Sequence, residues 1–260
     1  MVLQLRTRVP VARRRPGASA AAGLLAAGAA VAGLFFTPAF GAVSVASAAS
    51  TAPPPSSTCS TTALTDAQNH ALRALTRRIT RLHALSAAVG VSTALTSSDR
   101  STLNAELASA VAALTALQQK IPTDASCDEV ATDAQAMVAA RVFLFVSPQV
   151  HLTIAADTET QMAGALNGLE PKIAQRIAAA QQQGRTVNSA QATFSDFQNQ
   201  VTTASQSSAG ISSAALALTA ASVPGSRTTL EHAQTSLASG RKALVKARAD
   251  LRTLKADARQ

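Results

Sequence analysis

The chain contains no tryptophan and no tyrosine, and phenylalanine supplies only seven of its 260 residues. That shortage argues against a large aromatic-packed enzyme core. It also argues against a nucleic-acid surface, which relies on stacking aromatics. Charged residues make up 14%, where about a quarter is usual. Two cysteines exclude a disulfide-rich scaffold, and twelve glycines with ten prolines exclude a collagen-like repeat. The composition also excludes a multi-span membrane protein. The catalytic signatures are missing too: there is no G-x-S-x-G, P-loop, G-x-G-x-x-G, H-E-x-x-H or C-x-x-C. No two of His70, His83, His151 and His232 stand four residues apart, so helical metal-ligand spacing is absent. No cofactor is expected, and the chain is read as non-enzymatic.

What is present begins with an export signal. Arg6, Arg8, Arg13, Arg14 and Arg15 form a basic n-region, and an apolar stretch runs from about Gly17 to Phe36. Ala46-Ser47-Ala48 is an A-x-A cleavage site. Residues 1–48 are therefore expected to be a signal peptide, and the mature protein secreted or held at the cell envelope. Membrane attachment is expected only if the signal is retained as an anchor, which some twenty uncharged residues permit. Pro16-Gly17 directly after the arginines favours the ordinary secretory route over the twin-arginine one. Removing the five arginines lowers the formal charge from +9 to +4. The whole of that remaining excess sits in residues 226–260, with eight bases against three acids.

Residues 49–63 open with a Ser/Thr/Pro-rich leader containing Pro53-Pro54-Pro55, expected to be disordered. Beyond it, apolar residues recur at alternating three- and four-residue steps, the seam spacing of packed helices. One line is Leu72, Leu75, Ile79, Leu82 and Val89. A second is Leu103, Leu107, Leu114, Leu117 and Ile121. A third, Met162, Leu166, Leu169 and Ile173, precedes a fourth of Phe194, Phe197, Val201, Ala204 and Ile211. The fifth carries Leu230, Leu237, Leu244, Leu251 and Leu254. The fold class expected is all-α, an elongated antiparallel bundle of two three-helix units in series, over 64–147 and 148–260.

Helix one is expected to start at a capping box, Thr65-Asp66-Ala67-Gln68, and to end at Gly90. Thr96 to Asp99 starts helix two, and Pro122 ends it. A third helix spans 125–146 and stops before Pro148, although the β-branched and aromatic run Val142–Val146 reads equally as extended. Three helices of about 35 residues follow, over 149–183, 187–222 and from Pro224-Gly225 to the end. Gly168 and Pro171 strain the first of them.

Cys59 precedes helix one and Cys127 follows helix two. An antiparallel hairpin returns the chain to its starting end, so a Cys59–Cys127 disulfide is expected in an oxidising compartment. Asp124, Asp128, Glu129 and Asp133 suit the dipole of a helix start better than a cation site. Asp157 and Glu159 stand two apart and share no face. A small groove with Phe143, Phe145, Arg141 and His151 is a second reading of that region, with core packing preferred. The leucines at 230, 237, 244 and 251 fit a dimer zipper, but the seam within the chain needs the same residues and is preferred. Arg241, Lys242, Lys246, Arg248, Arg252 and Lys255 provide a basic surface for anionic envelope polymers, an envelope protein or lipid headgroups. A plain solvated face explains them equally.

The stretch Arg141–His151, with Ala155-Ala156-Asp157, resembles a recurring segment of exported actinobacterial proteins of unknown function. Leu95-Thr96, Asp99-Arg100, Leu103, Leu114 to Ile121, Asp124 and the Gly184-Arg185 turn follow the same order. The resemblance covers roughly residues 64–200. It implies an exported, helical, coiled-coil-like protein and transfers no functional residue. Two functions are thus expected of different kinds. One is an envelope-binding or spacing bundle. The other is a soluble extracellular module holding a small apolar ligand between helices.

Overall fold

Residues 59–218 and 225–257 are described in the structure, a computed structural model. The expected signal peptide at 1–48, leader residues 49–58, and the expected break at Pro224 lie outside the described residues. Every regular element described is helical: α1 Thr61–Val91, α2 Ser97–Lys120, α3 Cys127–Ala139, α4 Ser147–Asn167, α5 Glu170–Gln182, α6 Asn188–Ser208, α7 Ile211–Ala217 and α8 Gly225–Asp257. The protein is an all-α bundle.

Local chemistry accounts for most of the boundaries. Ser60 caps α1, its Oγ accepting from the Ala63 N–H at 3.2 Å. The helix therefore begins four residues before the expected box, and 61–63 belong to it rather than to the leader. Thr65 instead donates its hydroxyl to the Thr61 carbonyl inside the helix. Thr96 caps α2 as expected, accepting from the Asp99 N–H at 3.1 Å. Ser126 and Glu129 form a reciprocal capping box at α3. Glu129 is thereby spent on backbone N–H groups, accepting also from Ala125 N at 2.6 Å.

The expected stop before Pro148 is not where the third helix ends. The chain breaks at Arg141, whose φ of 46° is left-handed, and re-enters a helical path through a π turn over Val142–Val146. The run is therefore not extended. Pro148 sits in the first turn of α4 and does not end the helical path. The boundary expected between 147 and 148 falls inside this continuous helical stretch. The wide turn sends Val142 into one core and Phe145 into another, leaving Phe143 and Leu144 exposed.

Two of the three long helices are divided. At Gly168-Leu169 the chain bends, and α5 restarts with Pro171 in its first turn. At Ala209-Gly210 it bends again, with Gly210 at φ 72°, a conformation open to glycine at no steric cost. α8 runs unbroken for 33 residues, about 50 Å at 1.5 Å per residue.

α1 and α2 are antiparallel: Gln118 near the end of α2 donates to Thr76, and Arg100 near its start reaches the end of α1. Their core, with α3, holds Leu75, Leu82, Leu85, Leu103, Leu107, Leu114 and Ile121. α6 runs antiparallel to both α4 and α8, and its pairing with α8 is the most extensive among the described elements. Phe197, Val201, Ala204, Leu244, Ala247 and Leu254 fill that seam. A third cluster joins Phe145, Leu152, Ile211, Leu230 and Leu237. Burial of each such leucine stabilises the fold by roughly 1.5–3 kcal/mol.

Candidate functional site

α4 is buried on more than one side, and it carries polar groups inward. Ser147, Gln149, Thr153, Asp157 and Glu159 are all buried. Thr153 donates to the Gln149 carbonyl of its own helix. The other four reach neighbouring elements. Arg81 of α1 donates to Ser147 Oγ through Nε and Nη2, at 3.2 and 2.7 Å. Gln149 donates to the Ala215 carbonyl of α7 at 3.0 Å. Asp157 accepts from the Thr96 N–H at 3.2 Å and from the Ser212 hydroxyl. Glu159 pairs with Arg241 of α8 at 2.9 Å. Asp157 and Glu159 thus face different neighbours, as their spacing requires. Burial pushes both carboxyls upward, Glu159 to about 7, against the opposing pull of Arg241.

The second oxygen of Glu159 is buried with no hydrogen-bond partner. It lies against Gly240 of α8, where a Cβ would come within 2.6 Å of it. The only trace of this arrangement in the sequence is an acid in an otherwise apolar helix, with a glycine in the facing seam. Neither residue stands out there as functional.

The acids near α3 divide in the same way. Asp133 is buried and takes the Lys120 ammonium at 2.6 Å. Asp124 is buried nearby, and burial first, then the Asp133 charge, raises its carboxyl above the usual range. One oxygen of each has no partner. Among the described residues no group of three or more His, Cys, Asp or Glu is placed to hold a metal.

Cys59 and Cys127 form a disulfide, with Cα atoms 5.9 Å apart across a sequence separation of 68. It ties the start of α1 to the start of α3. The groove weighed as a second reading around Phe143 and Phe145 is not assembled, and the preferred core packing holds for Phe145 only. Phe145 is in the core, whereas Phe143 is 49% exposed with the Arg78 guanidinium 5.5 Å above its ring. His151 lies 2.9 Å from Arg81 Nη2, and burial first, then the Arg81 charge, lowers its imidazole below the ordinary value.

The six cations from Arg241 to Lys255 in α8 do not stand alike. Arg241 is held by Glu159. Lys242, Lys246, Arg248, Arg252 and Lys255 are exposed. At about 100° per residue they span roughly half the helix circumference. The opposite half carries Leu244, Ala247 and Leu254, buried against α4 and α6. Leu230 and Leu237 are buried too, and Leu251 is half-buried. The leucine repeat is used within the chain.

A second surface lies between α1 and α3, which run side by side in the same direction. They border an open-sided groove of about 520 Å³. Ala67, Ala71 and Ala74 from α1 face Ala131 and Ala134 from α3. Arg77 and Arg78 stand at one end.

No protein-family model, curated protein or solved structure matches this chain.

Proposed function

We propose that the protein is an exported, non-catalytic helical bundle that docks on an anionic polymer of the cell envelope through the outer face of α8. The observation that carries this reading is the division of α8. Its leucine face is committed to the bundle, and its other half presents five exposed cations along the final turns. Such a stripe attracts a polyanion through many weak contacts rather than one strong pair, so binding is steep in salt. The absence of a catalytic constellation in the sequence accords with a binding role. The actinobacterial resemblance accords with export and a helical architecture.

Co-sedimentation of the purified protein with envelope fragments across a salt series tests it. Neutral replacements at Lys242, Lys246, Arg248 and Arg252 provide the control, and Arg241 is left intact because it pairs with Glu159. The expected result is pelleting at low salt, release at high salt, and a variant that stays in the supernatant. If both proteins stay in solution at every salt concentration, the face is only solvated and the proposal fails.

A further inference from the structure

The groove between α1 and α3 points to a second site, independent of the α8 reading. We infer that it binds a single-chain anionic amphiphile, with the carboxylate held by Arg77 and Arg78 and the acyl chain laid along the alanine floor.

Both helices supply the groove at the same spacing. Lining positions in α1 run from Ala67 to Arg78, and those in α3 from Cys127 to Val138. In each, they recur at intervals of three and four residues, one face of a helix. The two parallel stripes make a trough about 16 Å long at 1.5 Å per residue. Five alanines keep it open, and Val130 and Met137, both buried, complete its apolar lining. A volume of about 520 Å³ falls within the usual range of small-molecule sites.

The charge is asymmetric. Among the described residues no acid lines the trough, and the two arginines sit together at one end. Neither has an ion-pair partner among those residues. Arg78 is half-buried, donates to the Ala74 carbonyl and lies over Phe143. Burial first, and the Arg77 charge second, push its guanidinium below the ordinary value. An anion at that end offsets the charge that Arg77 places on Arg78. Val138, Phe143 and Leu144 are three of the five large apolar residues that remain exposed among the described residues. Val138 lines the arginine end of the trough, and Phe143 lies under Arg78 there. An apolar wall beside paired cations fits an amphiphile's junction of chain and headgroup. A simple inorganic anion has no use for the wall, and a neutral hydrocarbon has none for the arginines.

The test is titration of the full-length protein with tetradecanoate below its aggregation concentration, read by calorimetry and by the carboxyl resonance of the 13C-labelled acid. Tetradecanol and a trimethylammonium amphiphile of equal chain length serve as comparison probes. Two variants are required. Arg77→Gln with Arg78→Gln removes the headgroup contact, and Ala131→Phe fills the trough from an exposed position. Circular dichroism establishes that each remains folded. The expected result is saturable one-to-one binding of the carboxylate, at least tenfold weaker in the arginine variant and abolished in Ala131→Phe. The α8 charge variant should bind as the parent does, which separates this site from the α8 reading. Absence of saturable binding overturns the proposal. Equal affinity for the cationic probe overturns it as well. So does unchanged binding by Ala131→Phe, or attachment to anionic vesicles that needs the arginines but ignores that substitution, which would make the surface a membrane contact.

Discussion

Glu159 and Gly240 occupy one space: the unpartnered carboxylate oxygen lies where a side chain on residue 240 would begin, 2.6 Å from an ideal Cβ. Ser207 Cβ on α6 lies 3.1 Å from the same point. Three helices therefore converge at a place where any side chain on residue 240 would force Glu159 to move. Alanine at an open helical position normally stabilises by about 0.5–1 kcal/mol. Gly164 in α4 is such a position, with nothing within 4 Å of where its Cβ would stand. Gly164→Ala should raise stability by that amount, and Gly240→Ala should lower it by about 1–3 kcal/mol. Urea denaturation of both variants decides the matter. Stabilisation by both would mean that Glu159 moves aside without cost.

The same carboxyl makes stability depend on pH. Its value in the folded protein is about 7, against an ordinary 4.5. The fold therefore holds the proton more tightly than the unfolded chain. The contribution is complete below about 4.5 and is lost as pH rises through about 7. Its size is on the order of 3 kcal/mol. Glu159→Gln mimics the protonated form. Between pH 5 and pH 8 the parent should lose more stability than the Gln variant by roughly that amount, as measured by urea midpoints. Equal losses would show that Glu159 ionises normally. Asp124 and Asp157, shifted in the same direction, remain in both proteins and cancel.

The disulfide closes a long loop, its cysteines standing 68 positions apart. In the chain-entropy model such a loop contributes about 4 kcal/mol. Replacing both cysteines by serine should lower stability by up to that amount, and adding reductant to the parent should reproduce the effect. A drop below about 1 kcal/mol would mean that the α1–α2 hairpin is equally constrained without the bond.

Arg100 holds the end of α1. Its guanidinium donates to the carbonyls of Val89 at 3.2 Å, Gly90 at 2.9 Å and Ser92. These are orphan acceptors at a helix terminus. Arg100→Met should cost about 1–3 kcal/mol. Arg100→Lys should recover only part of it, because one ammonium does not reproduce a planar fork. Thermal melts of the three proteins provide the check, and full recovery by lysine would contradict the forked geometry.

The seams are legible in the sequence because apolar periodicity survives any arrangement of the helices. Leu103, Leu107, Leu114, Leu237 and Leu244 are all buried where the period puts them. Thr96 and the disulfide are legible for similarly local reasons: a hydroxyl before a helical run, and a hairpin that returns to its origin. The start of α1 is not. Ser60 and Thr65 both carry capping hydroxyls, and starting at Ser60 gains a further turn in which half-buried Leu64 packs on the core. The π turn is hidden for another reason. All five residues from Val142 to Val146 are apolar, so a one-residue change of register leaves no mark on the pattern. Glu159 and Asp133 escape a reading by pattern because acids are ordinarily at the surface, and only the packed helices reveal their partners. By sequence alone Arg241 is indistinguishable from its exposed neighbours for the same reason.

The π turn also sets the angular phase between the segments it joins. Each residue added to or removed from a helix rotates everything beyond it by about 100°. Deleting one residue from Val142–Val146 would leave composition and helical propensity nearly unchanged. It would nevertheless turn Gln149, Asp157 and Glu159 away from α7, the α2 cap and α8 together. Substitution in this segment is thus a local event, whereas a change in its length is felt along the whole of α4.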